Sequence, residues 1–153
     1  MFKINIFCIL KENQDEFDIL FKKYEKMLGK FAKVKSVYIF DKNIQKAQNI
    51  SAYEAKKAYT KVFLPYLNSS YNIALDVKGA SLDTFAFTKI FENEANINFF
   101  IAGAYGFEEG FLQKCNKIIS LSQLTFAHKI AKLVLFEQIY RCFSIKTNHP
   151  YHK

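Results

Sequence analysis

A chain of 153 residues with a formal net charge of +8 is long enough for one domain built on one core. Half of its residues are apolar and 17% are aromatic, which excludes a disordered chain, and no apolar run approaches the roughly 18 residues of a membrane helix. Cys8, Cys115 and Cys142 are odd in number and form no CxxC, so neither a disulfide framework nor a structural metal site is signalled; a cytoplasmic protein without metal is expected. The basic excess suits a polyanionic partner such as RNA or an acidic membrane surface, or simply a lysine-rich surface.

Apolar residues from Lys3 to Leu10 predict a first strand, not a signal peptide, because the run is short and KENQDE follows it. Asp15 is a candidate cap for a helix that carries Phe17, Leu20, Phe21, Tyr24 and Leu28 at helical spacing. Val34–Phe40 reads as a second strand, and Asp41–Ile50 as a polar connection long enough to be a mobile loop. Ser51 with Glu54 makes a capping box for a helix that buries Ala55, Ala58, Tyr59, Val62 and Phe63 and stops near Pro65. Tyr71–Val77 is a third strand. A helix starting at Ser81 or Asp83 carries Phe87, Ile90 and Phe91, and Asn96–Ala102 is a fourth strand. A short helix over Glu108–Cys115, a fifth strand over Lys117–Leu121 and a long helix from about His128 to Ile145 complete the pattern. Strands alternating with helices imply a parallel sheet with helices on both faces, in one α/β domain over residues 1–153. The last helix is apolar on nearly every side, which predicts that a second copy of the chain covers what the sheet does not, as a homodimer.

In such sheets ligands bind beyond the carboxyl ends of the strands. Three segments qualify: Leu75–Gly79, Gly103–Gly106 and Ser122–Ala127. GxGxxG is absent, so a dinucleotide fold is not supported. All three histidines (His128, His149 and His152) and the only arginine, Arg141, fall in the last stretch of sequence, SLSQLTFAHKIAKLVLFEQIYRCFSIKTNHPYHK. Its terminal segment offers cations, a stacking ring in Tyr151 and two titratable imidazoles, a combination that suits unpaired RNA. A metal reading of His149 and His152 lacks further ligands nearby, and a frayed polar terminus is the bland alternative.

The same residues resemble the RlmH family, SPOUT-class enzymes that methylate N3 of a pseudouridine in 23S rRNA with S-adenosylmethionine. SLSQLTFAH and IYRCFSIKTNHPYHK are similar to the family forms SLSxLTLPH and LYRAxSIxxNHPYHR/K, and Asn148–His152 is identical to the family tail. LDVKG at Leu75 looks like the family's LDxxG, and IAGAYG at Ile101 like its IGGxxG. The resemblance covers the whole chain. It is close at the C-terminus and loose before Tyr71, with departures at Ala102, Ala104, Tyr105 and Ala127. It implies a trefoil α/β knot, a homodimer and S-adenosylmethionine held by Leu75, Gly103, Ser122, Gln123, Leu124, Thr125, Phe126 and Ala127. It further implies 23S rRNA within the ribosome as partner, with no membrane or metal, and a chemical role for Arg141, His152, His149 and Tyr151. On residue chemistry, Arg141 stabilises charge on the pyrimidine carbonyls, His152 ahead of His149 receives the imide proton, and Tyr151 stacks on or orients the base. The rival readings are a non-catalytic ribosome-associated RNA binder, a related knotted tRNA methyltransferase and a small-molecule α/β enzyme.

Overall fold

A computed structural model describes residues 1–153. Its elements in chain order are β1 (Phe2–Cys8), α1 (Glu16–Leu28), β2 (Ala32–Tyr38), α2 (Lys42–Ile50) and α3 (Ala52–Phe63), then a 3-10 turn (Leu64–Tyr66) at Pro65. There follow β3 (Tyr71–Ser81), α4 (Thr84–Thr88), α5 (Ile90–Asn93), β4 (Asn96–Ile101), α6 (Glu109–Lys114), β5 (Lys117–Ser120) and α7 (His128–Lys146). The strands form one parallel sheet in the order β2-β1-β4-β3-β5. No helix is long and apolar enough to cross a membrane.

The central strands are apolar on both sides because both sides are covered. Ile4, Ile6 and Cys8 of β1, with Ile97, Phe99 and Ile101 of β4, enter one core with Phe21, Leu28, Leu135, Phe136 and Ile139. Phe7 and Phe100 enter the other with Ile44, Ala55, Tyr59, Phe63 and Phe111. Helices α1, α4, α5 and α7 thus cover one face, and α2, α3 and α6 the other. Near the amino ends of the strands the second face holds a row of asparagines. Asn5 Nδ2 donates to Asn98 Oδ1 at 2.9 Å, and Asn98 Nδ2 donates to Asn72 Oδ1 at 3.0 Å and to the Tyr66 carbonyl at 3.1 Å. The amide network is satisfied across three strands, so it is compatible with full burial of Asn98.

The segment expected as a mobile loop, Asp41–Ile50, is instead helix α2. Asp41 caps it, accepting from Ile44 N at 2.8 Å; Ile44 and Ala47 are its buried residues, and Ile44 enters the second core. Two buried apolar residues among polar ones give too narrow a pattern to stand out in the sequence. The helix expected after Ser81 or Asp83 is two short helices, capped by Asp83, which accepts from Ala86 N at 2.7 Å. Strand β3 runs further than expected because its register against β5 shifts: Leu75 and Ala80 both lie opposite Ile119. The intervening Gly79 is forced by this approach, since a Cβ there would stand 2.7 Å from the backbone of Ile118 and Ile119.

Helix α7 buries Lys132, Leu135, Phe136, Ile139, Cys142, Phe143 and Ser144 on the inward side and leaves Ile130 exposed. Its inward stripe includes a lysine. Lys132 Nζ donates to the Tyr38 hydroxyl and lies 4.3 Å from the Phe21 ring centroid and 4.0 Å from that of Tyr38, with no carboxylate in bonding distance. Burial holds its pKa below the usual lysine value. The unfolded chain therefore binds more protons in the interval below about 10.5, and stability contributed at this site rises as pH rises through it. Lys132→Met, which keeps the volume and drops the charge, should raise stability by about 1 kcal/mol at neutral pH. Urea unfolding from pH 7 to 10.5 should show the gap between the two proteins closing; a gap that widens with pH contradicts the assignment.

A candidate cofactor cavity and a separate C-terminal cluster

The carboxyl ends of β3, β4 and β5 open onto a cavity of about 670 Å³, within the usual range for small-molecule sites. The irregular stretch of β3 at Leu75–Lys78 and two loops, Ile101–Gly106 and Leu121–Phe126, wall it. Tyr53 and Lys56 of α3 and His128 and Ala131 of α7 complete the rim. Of the residues expected from sequence to hold a cofactor, Leu75, Gly103, Ser122, Leu124, Thr125 and Phe126 line the cavity, whereas Gln123 and Ala127 do not.

Each wall has a local cause. Asp76 Oδ1 accepts from Lys78 N at 2.9 Å and folds the first. Gly106 N donates to the Gly103 carbonyl at 3.1 Å, closing the second, and Gly106 adopts φ +79°, which favours glycine. Ser122 Oγ accepts from Leu124 N at 3.0 Å, and its carbonyl accepts from Ser120 Oγ at 2.8 Å, shaping the third. Gly103 is small for a reason the sequence could not show. A Cβ there would stand 2.3 Å from the Tyr59 hydroxyl, so the residue is dictated by what lies behind the wall.

The lining chemistry fits an adenosyl sulfonium compound. Leu75, Ile101, Leu121 and Phe126 give apolar surface for a purine, Ser122 and Thr125 give hydroxyls for a ribose, and the carboxylates of Asp76, Glu108 and Glu109 suit a ligand bearing positive charge. No group of three or more His, Cys, Asp or Glu side chains is gathered for a metal ion.

Arg141, His149, Tyr151 and His152 do not line this cavity. They form their own cluster around Glu137, a residue that sequence reasoning passed over. Glu137 Oε1 accepts from Arg141 Nε at 3.0 Å, from Arg141 Nη2 and from the Tyr151 hydroxyl at 3.1 Å. The signal was available in outline, since Glu137 and Arg141 stand one helical turn apart. Arg141 also lies 4.9 Å from the Tyr151 ring centroid, and its Nη1 donates to His152 Nδ1 at 3.2 Å. Asn148, with φ 54°, turns the chain out of α7, and His149 N closes the turn on the Ser144 carbonyl at 2.8 Å. His149 Nδ1 in turn accepts from Tyr151 N at 3.2 Å. Burial, then hydrogen bonding to Tyr24 and Glu137, raises the Tyr151 pKa, so its phenol is a donor at neutral pH.

The cavity lies at the start of α7, and the cluster begins at its midpoint with Glu137. His128 lines the cavity, and Arg141 lies roughly 20 Å further along the axis. There the helix meets the amino edge of the sheet, where the Phe143 ring centroid lies 4.9 Å from that of Phe2 and 5.3 Å from that of Phe31. The tail then folds back over α7, bringing His152 to 5.3 Å from the Phe85 ring.

The family described as "Predicted SPOUT methyltransferase" matches residues 2–152. The chain belongs to the SPOUT methyltransferase family. It is 54% identical over 151 residues to the ribosomal RNA large subunit methyltransferase H of Aliarcobacter butzleri, covering 99% of each chain. Proteins of the same name from Campylobacter jejuni (strain 81-176) and a Sulfurovum species are 48% and 45% identical, again over 99% of each chain. For a member of this family, the five-stranded parallel sheet covered on both faces is the α/β architecture expected.

Proposed function

We propose that residues 1–153 act as one SPOUT domain that transfers a methyl group from S-adenosylmethionine to N3 of a pseudouridine in 23S rRNA of the large ribosomal subunit, in the cytoplasm and as a homodimer. The observation that carries this reading is the three-walled cavity at the carboxyl edge, in a chain about half identical along its length to large-subunit rRNA methyltransferases. When bound, the cofactor supplies an electrophilic methyl group. The chain must then orient the base, hold charge on its carbonyls and let the N3 proton leave as the N3–methyl bond forms.

The cluster around Glu137 fits the second and third tasks. Arg141 is half-exposed and forked, and its attachment to Glu137 aims the guanidinium while leaving Nη1 on a replaceable partner, His152. In the resting arrangement His152 Nδ1 accepts from Arg141, so a neutral ring carries its proton on Nε2 and is a donor. When Arg141 turns to a pyrimidine carbonyl, Nδ1 is freed to accept the N3 proton. Tyr151, a neutral phenol packed 4.8 Å from the Tyr140 ring, orients the base by donation or stacking and is no base itself.

The separation of cavity and cluster within one chain supports the homodimer. Helix α1 packs on α7, and Leu20 on the one and Ile130 on the other remain exposed, which leaves apolar surface for a second copy. A tail that lies far from its own cavity can serve the cavity of that copy.

The test is incubation of purified protein with ribosomes lacking the modification and methyl-labelled S-adenosylmethionine, followed by mass mapping of the rRNA. One methyl on a pseudouridine of 23S rRNA is the expected product. Binding of rRNA with no cofactor uptake by calorimetry would instead establish the non-catalytic binder, and methylation of tRNA alone would establish the related knotted enzyme.

A further inference from the structure

The wall of the cavity formed by Gly103–Gly106 is backed by a buried phenol that touches neither the cavity nor the C-terminal cluster. Tyr59 of α3 is fully buried, in an apolar core that also holds Phe7, Phe63, Phe100 and Phe111. Such a position favours phenylalanine unless the hydroxyl is satisfied. It is: the hydroxyl donates to Gln48 Oε1 on α2. Its Cζ and hydroxyl stand where a Cβ on Gly103 would be, at 2.4 and 2.3 Å. The loop is thus backed at Gly103 by this phenol, while its front faces the cavity.

We propose that Tyr59 is a positioning residue for the cofactor: its hydroxyl, fixed by Gln48, sets the place of the Gly103–Gly106 backbone and thereby the affinity of the cavity for S-adenosylmethionine. This rests on the functional reading above. The grip itself is a property of the free protein, so it can be tested separately. Helix α3 also lends Tyr53 and Lys56 to the rim, so the α2–α3 layer fixes two sides of the cavity at once. A loop without a backstop samples several positions, and only a fraction of the molecules is then competent to bind.

Tyr59→Phe removes one oxygen and keeps the ring, and Gln48→Leu removes its anchor. Hydrogen exchange on the ligand-free protein should show the peptide spanning Gly103–Gly106 exchanging about tenfold faster in Tyr59→Phe. The melting temperature should move little. The KM and Kd for S-adenosylmethionine should rise about tenfold, with a far smaller change in kcat at saturating cofactor. The double variant should be no worse than Tyr59→Phe, because both act through one oxygen. Unchanged exchange at the loop overturns the proposal whether or not the protein binds the cofactor. Equal Kd values for Tyr59→Phe and a wild type that binds overturn it as well, as does an additive double variant. Failure of the wild type to take up cofactor, with loop exchange accelerated as expected, would leave the grip standing and remove only the functional reading.

Discussion

Replacing Arg141 by alanine should lower turnover on the ribosomal substrate by roughly 10²-fold or more while changing the Kd for S-adenosylmethionine by no more than about twofold. The magnitude is that of removing one donor aimed at charge that develops during reaction. The asymmetry follows from position. Arg141 does not line the cavity and lies roughly 20 Å along α7 from His128, which does, so the cofactor loses no contact when its side chain goes. Stability should fall little, because the pair it breaks with Glu137 is partly exposed. Arg141→Lys should recover only a small part of the rate, since a single ammonium cannot hold Glu137 and a carbonyl with the same fork. Glu137→Gln should also slow turnover, by a smaller factor, because Arg141 and Tyr151 would lose their shared carboxylate acceptor while keeping their own chemistry. Stopped assays at saturating cofactor, paired with calorimetry, separate the two quantities. Wild-type turnover in Arg141→Ala, or a loss of cofactor binding equal to the loss of rate, would remove this arginine from the chemistry.

Much of the sheet was legible because its strands are covered on both faces. NINFFIA and YNIALDV are mostly apolar runs of strand length, and that pattern places them without reference to any neighbour. Helix α2 was not legible, since Ile44 and Ala47 are its whole buried face and its stop is the extended Ser51 that also caps α3. The cavity loops were found from their places after strands, but the reasons for their glycines were not. Gly103 is small because of Tyr59, and Gly79 because β3 closes on β5; both causes are tertiary contacts. Arg141 and three tail residues were singled out by chemistry, and the structure gathers Arg141, Tyr151 and His152 about Glu137. An acidic residue on a helix is ordinarily a solvated one, so nothing short of the folded-back tail marks Glu137 as its anchor. Lys132 was hidden for the opposite reason. Among so many lysines a buried one looks like any other, and only Phe21, Tyr38 and Phe136 closing around it reveal the difference.

The second large effect concerns which cavity each tail serves. A subunit carrying Arg141→Ala has an intact cavity and a dead tail. A subunit carrying Gly106→Val has an intact tail and a broken cavity wall, since valine is strained at φ +79°. Each variant alone should be close to inactive. Co-expressed with different tags and unfolded and refolded together, they should regain about a quarter of wild-type activity, because half of randomly paired dimers are mixed and each mixed dimer holds one complete site out of two. Tandem purification of mixed dimers should raise this to about a half. If instead each tail folded onto its own cavity, no subunit in the mixture would hold both parts and activity would stay at the level of the single variants. The geometry of α7 favours the first outcome. The helix starts at the carboxyl edge with His128 in the cavity wall and reaches the amino edge at Phe143. The tail's return is spent on Tyr140, Glu137 and Phe85 of its own chain, short of the cavity. In the proposed homodimer, a two-fold axis across the exposed side of α7 would set two such helices in opposite directions, with the end of one beside the beginning of the other.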